Sequence, residues 1–197
     1  MEERTGGTEG NARLTGTTGV VLLPLLAVEG VTILFLRSLL SLHVFVGMLL
    51  IPPVALKLAS TGWRFARYYT GNHAYRLKGP PRLLLRVLVA PAVVLSTIAL
   101  LGTGVALIIL GPRNGTLVGL HQASFVVCFI AIGVHVLAYI FELPGLALGD
   151  WRASTHIPSR AARLALVVAS LAVGAALAAA TVHLAGPWTD WLRTRHH

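Results

Sequence analysis

Five uninterrupted apolar runs, each about as long as a membrane-spanning helix, constrain what this chain can fold into. They lie at roughly 16–36, 39–59, 87–110, 117–141 and 164–185. A helix needs about 20 mainly apolar residues to cross the hydrocarbon core of a bilayer. Only 12% of the residues are charged, against about a quarter in a typical soluble domain. The runs therefore predict an all-α integral membrane bundle of five transmembrane helices, residues 16–185, in contact with lipid.

The region between the first two runs allows two arrangements, because only Arg37 and Ser38 separate them. One is a tight hairpin of two spans, and the other is a single long bent helix. The bent helix would keep Arg37 in the hydrocarbon at a cost of several kcal/mol, so the hairpin is favoured. Residues 1–15 are polar and rich in Gly and Thr, and we expect a disordered tail there. Residues 186–197 are expected to form a second short tail.

The basic residues are distributed unevenly between the loops. The net charge is +9, and the segment 57–86 contains seven basic residues and no acidic one, whereas the loop 111–116 contains only Arg113. The positive-inside rule then places the amino terminus, residues 60–86 and residues 142–163 in the cytoplasm and the carboxyl terminus outside. We expect a multi-pass protein of a bacterial plasma membrane. The positive charge is explained by orientation, and no nucleic-acid partner is expected.

Two of the predicted helical hairpins have similar sequences and form an internal repeat. The stretch that begins at Gly30-Val31 resembles the stretch that begins at Gly104-Val105, and each leads through a short turn to a Leu-His pair, at His43 and at His121. Repeated hairpins in membrane proteins commonly form a site where the copies meet. The repeat therefore predicts that these two histidines lie at equal depth, near the outer ends of their helices.

The two copies differ fourteen residues further on, where the second has His135 and the first has Lys57. Fourteen residues are close to four helical turns, so each pair shares one helix face and is separated by about 21 Å. A protonated lysine does not ligate iron, so an inner haem is not favoured, although His–Lys ligation stays open. His135 is otherwise a remnant of a lost site, a proton-handling group or a hydrogen-bonded packing residue.

His43 and His121 are the candidate metal ligands, because two imidazoles at equal depth on facing helices are what a haem iron needs. Gly47, one turn from His43 on the same face, would leave room for the macrocycle. Phe125 occupies the equivalent place in the second copy and would pack against a porphyrin edge or block it. The alternative is that both histidines are polar residues of the membrane interface. His183 is a further outer ligand candidate without a counterpart in the repeat.

On Leu42-His43 with Gly47, Leu120-His121 and His135, the chain resembles the prokaryotic b-type cytochrome membrane subunits of the cytochrome b561-type superfamily. These include the subunits that serve hydrogenases and formate dehydrogenases. The resemblance covers roughly residues 16–141. It implies a haem b held by His43 and His121, with His135 as half of an inner site whose other half is absent. It also implies electron exchange with a quinone or an extracytoplasmic oxidoreductase subunit.

Three functions are consistent with these patterns. The first is an electron-transfer subunit that binds one haem b, with any substrate chemistry on a partner chain. The second is a membrane anchor or assembly protein without haem, for which the basic and aromatic segment from Trp63 to Tyr69 would contact lipid headgroups or a partner. The third is a transporter, with Glu29, Lys57 and His135 along a polar path. Glu29, the only acidic residue within a span, would form a hydrogen bond between helices or accept protons.

Overall fold

The computed structural model describes residues 6–77, 85–112, 114–139 and 160–194, and within these ranges the chain is helical and has no β-strand. Five helices are long and apolar enough to cross a membrane. This confirms the predicted all-α bundle and the class of the protein, a multi-pass membrane protein. In chain order the elements are α1 (Gly6–Leu34), α2 (Leu36–Tyr69), α3 (His73–Leu77), a π-helical turn (Leu85–Val89), α4 (Ala90–Leu110), α5 (Gly115–Tyr139), α6 (Arg160–Thr181), a 3-10 turn (Val182–Ala185) and α7 (Gly186–Thr194).

The first two helices form the hairpin that the sequence favoured. The chain reverses at Phe35, which has non-helical backbone angles (φ −121°, ψ 36°), and Arg37 is exposed beside this turn. On the α1–α2 interface, Leu22 packs with Leu50 in one buried apolar cluster. Far from the turn, the Asn11 side-chain amide donates to the Ser60 carbonyl at 2.9 Å. The two helices therefore lie antiparallel along most of their length.

The amino-terminal residues from Gly6 onward belong to α1, so residues 6–15 are helical and not a disordered tail. Packing against the extended end of α2 explains the difference. The hydroxyls of Thr15 and Ser60 are 2.9 Å apart, and the Tyr75 hydroxyl donates to the Gly7 carbonyl at 3.1 Å. Such contacts between elements outweigh the low helix propensity of Gly and Thr. Residues 1–5 lie outside the described residues.

The carboxyl-terminal segment is also folded, because residues 186–194 form the short helix α7. Trp188 of this helix donates its indole N–H to the Leu107 carbonyl at 3.0 Å. Trp188 and Leu192 pack against the apolar cluster that includes Leu40 and Val44 of α2. The expected short tail is therefore a helix laid over the ends of α2 and α4. Residues 195–197, and residues 142–159 of the predicted cytoplasmic loop, lie outside the described residues.

Helix α2 is central, with α1 against one side and α6 against another. The chemistry of Pro53 explains the close approach of α6. In a helix the Leu49 carbonyl would accept from the N–H of residue 53, and proline has none. Gly174 of α6 lies directly against this carbonyl, so close that a Cβ at position 174 would overlap the Leu49 oxygen. A Cα–H of glycine therefore covers an acceptor that the hydrocarbon cannot solvate.

The second hairpin, α4 with α5, is closed by two local signals. Gly111 has a positive φ of 73° and donates its N–H to the Leu107 carbonyl, which ends α4. Asn114 then caps α5, because its side-chain oxygen accepts from the Leu117 N–H at 3.1 Å. Among the described residues, α5 packs mainly against α4 and makes few close backbone contacts with α2. The molecule thus consists of a three-helix unit and a hairpin beside it.

We predict that Gly174→Ala destabilises the protein, because the added methyl group would force α6 away from the Leu49 carbonyl. Overpacking of this kind costs about 1–3 kcal/mol. The measurement is reversible unfolding in mixed micelles. Gly102→Ala on α4 is the matched control, since a Cβ at Gly102 meets no heavy atom within 4 Å. Equal stability of the two variants would contradict the proposed role of this contact.

Candidate functional site

His43 on α2 and His121 on α5 lie together where the two hairpins meet. Their ring centroids are 6.4 Å apart and the ring planes are nearly perpendicular, at 84°. Since α2 and α5 otherwise make few close backbone contacts, the two imidazoles bridge a gap between these helices. The pair that the repeat singled out is thus also a pair in space.

The imidazole of His43 is held by α1. Its Nδ1 is 3.0 Å from Glu29 Oε1 and 3.0 Å from the Thr32 hydroxyl. The Thr32 side chain is fully buried, and its hydroxyl donates to the Glu29 carbonyl at 2.6 Å. Glu29 therefore does make the hydrogen bond between helices that was one of its two expected roles.

The imidazole of His121 is held in the same way by α4. Its Nδ1 is 3.1 Å from the hydroxyl of Thr103. That hydroxyl donates to the Ala99 carbonyl at 2.6 Å. Each histidine is thus fixed through Nδ1 by the first helix of its own hairpin, and not by the opposite hairpin.

These partners determine which ring nitrogen carries the proton. A carboxylate accepts hydrogen bonds and does not donate them, and both threonine hydroxyls direct their hydrogens to backbone carbonyls. With Glu29 ionised and each threonine hydrogen directed to its carbonyl, we expect Nδ1 to be the donor in His43 and in His121. In the neutral imidazole this leaves the lone pair on Nε2. The pair would then present two Nε2 lone pairs, the form in which histidine binds a metal ion.

Two glycines shape the space around the pair, and one of them differs from expectation. A Cβ at Gly104 would lie 3.2 Å from His121 Cε1, so Gly104 gives the His121 ring its room. A Cβ at Gly47 would lie 3.4 Å from Glu29 Oε1. The space beside Gly47 thus faces the carboxylate of Glu29, whereas the sequence predicted room for a macrocycle there. Phe125, its counterpart in the second hairpin, stacks near Phe129 with ring centroids 5.8 Å apart.

Lys57 and His135 lie at the other end of the same two helices. Lys57 Nζ donates to the Thr15 carbonyl at 2.9 Å and occupies the space left by Gly19 of α1. Lys57 and His135 are also close enough to interact electrostatically. The structure thus brings the two residues near each other, with the ammonium group of Lys57 turned to α1. His183, the further ligand candidate, is exposed on the 3-10 turn.

The donor set limits which metal group would fit. Within the described residues there is no cluster of three or more His, Cys, Asp or Glu side chains that would hold a bare metal ion. A haem needs only two protein ligands, because the porphyrin supplies the other four. The imidazoles of His43 and His121, with ring centroids 6.4 Å apart, would supply those two protein ligands.

Sequence reasoning missed Thr32, Thr103 and Gly104 as site residues. The repeat contained a signal for Thr103, because Thr103 precedes Gly104 as Glu29 precedes Gly30.

Comparison with known proteins gives no match to this chain: no family model, no curated protein and no solved structure matches it.

We predict that His43 and His121 carry their protons on Nδ1, which ¹⁵N NMR of histidine-labelled protein in micelles measures directly. Thr103→Val removes the acceptor of the His121 Nδ1–H, so the His121 signals should shift towards the Nε2–H tautomer while His43 is unchanged. Thr97→Val is the control, because the Thr97 hydroxyl contacts Cys128 on α5 and no histidine. An Nε2–H tautomer in the unaltered protein would contradict the assignment.

Proposed function

We propose that this protein is a membrane electron-transfer subunit that binds one haem b between His43 and His121. The observation that supports this proposal best is the short distance between the two rings, together with the hydrogen bonds that both Nδ1 atoms make to other residues. An interfacial histidine without a ligand needs neither a fixed tautomer nor a facing imidazole. Both features are requirements for a shared axial pair.

Each residue of the site has a distinct role in this proposal. His43 and His121 would be the axial ligands through Nε2. Glu29 and Thr103 hold the two rings in orientation, and Gly104 gives the His121 ring its space. When bound, the haem supplies one-electron redox chemistry, and the chain supplies ligands, orientation and an apolar surrounding.

The proposed partners follow from the end of the bundle at which the histidines lie. His43 is near the turn between α1 and α2, and the positive-inside rule assigns this turn to the outer face. Electrons would then be exchanged with a quinone or with an extracytoplasmic oxidoreductase subunit. The resemblance to b-type cytochrome subunits in His43 and His121 supports the same proposal. Substrate chemistry would belong to the partner chain.

A single haem is proposed because the equivalent inner position is occupied by Lys57. Its ammonium group donates to the Thr15 carbonyl, and a protonated amine has no lone pair for a metal. His135 would then serve as a packing or proton-handling residue beside Lys57. Two-haem transfer across the whole membrane is not part of the proposal.

We predict that the purified protein, expressed with haem available, shows a Soret band and about one haem per polypeptide. His43→Ala and His121→Ala should each lower the haem content by at least about tenfold, because one axial bond is lost and the other ring has no partner. Reduced-minus-oxidised spectra with haem quantitation provide the measurement. His183→Ala is the matched control, since His183 is exposed and outside the pair.

Haem content near zero in the unaltered chain, or content unchanged in both alanine variants, would contradict the proposed function. A content near two would instead restore the inner site at Lys57 and His135. His135→Ala separates these results, because it should leave a single outer haem intact.

A second candidate function, a membrane anchor or assembly protein, is favoured by the far end of α2. This helix has 34 residues, so at about 1.5 Å per residue it is longer than the roughly 30 Å hydrocarbon core by about 20 Å. The projecting part exposes Trp63, Phe65 and Tyr69, and Arg67 lies over the Trp63 ring at 5.3 Å. Exposed aromatic and basic residues of this kind suit a partner surface or lipid headgroups.

The two functions predict opposite results in a deletion strain with a measurable phenotype. An anchor should be colourless, and His43→Ala should rescue the strain while the double variant Arg64→Gln/Arg67→Gln should not. The electron-transfer subunit predicts the reverse order of rescue.

A further inference from the structure

The residue that fixes each imidazole lies at the same place in the two hairpins, immediately before Gly30 and immediately before Gly104. In the first hairpin it is Glu29, 3.0 Å from His43 Nδ1, and in the second it is Thr103, 3.1 Å from His121 Nδ1. The geometry is therefore the same in both copies while the chemistry of the acceptor differs. The His43 imidazole faces a carboxylate together with the Thr32 hydroxyl, whereas the His121 imidazole has only neutral partners, the Thr103 hydroxyl and the Leu100 backbone.

In the second hairpin neutral groups alone, the Thr103 hydroxyl and the Leu100 backbone, orient the His121 ring. The carboxylate of Glu29 must then have an effect beyond orientation, because an acidic side chain within a span is costly to keep. Both side chains of the Glu29–His43 pair are largely enclosed, at 16% and 19% exposure. In such a surrounding a hydrogen bond to a charged acceptor is markedly stronger than one to a neutral acceptor.

The residue across from this position differs in a matched way. Gly47 lies against the Glu29 carboxylate, whereas the second hairpin has Phe125 at the equivalent place. A glycine thus accompanies the larger, charged side chain, and a phenylalanine accompanies the smaller threonine. The two hairpins therefore differ at two matched positions. A variant that gives one hairpin the residues of the other has to change both positions.

We propose that Glu29 and Thr103 are positioning residues that make the two axial imidazoles unequal electron donors to one iron, an inference that rests on the proposed haem site. A carboxylate that accepts from Nδ1–H gives the imidazole partial imidazolate character and raises its basicity as a ligand. His43 then stabilises the oxidised iron more than His121 does. Glu29 therefore lowers the reduction potential of the bound haem and suits it to donate electrons.

The test is the midpoint potential of the haem in the whole protein, measured by spectroelectrochemical titration. Glu29→Gln keeps a hydrogen-bond acceptor of the same shape but removes the charge, so it should retain haem and favour reduction by at least tenfold. Tenfold is 59 mV for a one-electron couple. Thr103→Glu combined with Phe125→Gly gives the second hairpin the residues of the first, and it should shift the potential in the opposite direction by a similar factor.

Thr97→Val is the control for altering a polar side chain on α4 away from the histidines, and it should leave the potential unchanged. A haem-containing Glu29→Gln protein with the potential of the unaltered chain would overturn the inference and leave the proposed function standing. If Glu29→Gln does not fold, the double variant decides, because a haem-containing double variant with an unshifted potential overturns the inference equally. A colourless unaltered protein would overturn the haem site and the inference together.

Discussion

A polar group within the hydrocarbon of a bilayer has no water to bind, so it must find its partner on a neighbouring helix. Two contacts between the central helices follow from that constraint. The Leu49 carbonyl, left without a donor by Pro53, is covered by Gly174. The carboxylate of Glu29 is paired with His43. These contacts join α2 to α6 and to α1, beside the apolar clusters that α2 forms with the same helices.

The same constraint explains where the candidate site lies. The three-helix unit and the α4–α5 hairpin each satisfy their own histidine internally, His43 through α1 and His121 through α4. Neither ring therefore needs the other hairpin for its hydrogen bond. The two rings nevertheless approach each other, with centroids 6.4 Å apart. A ligand between the units would also strengthen the sparse contact between α2 and α5.

Much of the fold was predictable because it depends on local patterns. Apolar runs indicated all five long helices, and the cost of Arg37 in hydrocarbon favoured the hairpin that is observed. The histidine pair was predictable because repeated hairpins place equivalent residues at equal depth. The packing of Gly174 was not, since no local signal connects it with Leu49. The helical start of α1 was missed because its Gly and Thr residues are stabilised by contacts with α2 that a composition cannot reveal.

Thr103 was missed for a different reason. The repeat was recognised from positions that have similar residue types, and Thr103 is not similar to Glu29. Glu29 and Thr103 have little in common as side chains, and only their place before Gly30 and Gly104 relates them. What the two positions share is a function, to accept a hydrogen from Nδ1.

The two ends of the bundle differ in chemistry, and Lys57 has a structural role at its own end. Its ammonium group fits where Gly19 leaves space, since a Cβ there would lie 2.8 Å from Nζ, and it donates to the Thr15 carbonyl on α1. The lysine thus joins α1 to α2 at one end of the bundle, as Glu29 and His43 join them at the other. Among the described residues, the proposed haem site would therefore lie at the His43 end of the bundle, and Lys57 has a structural role at the other end.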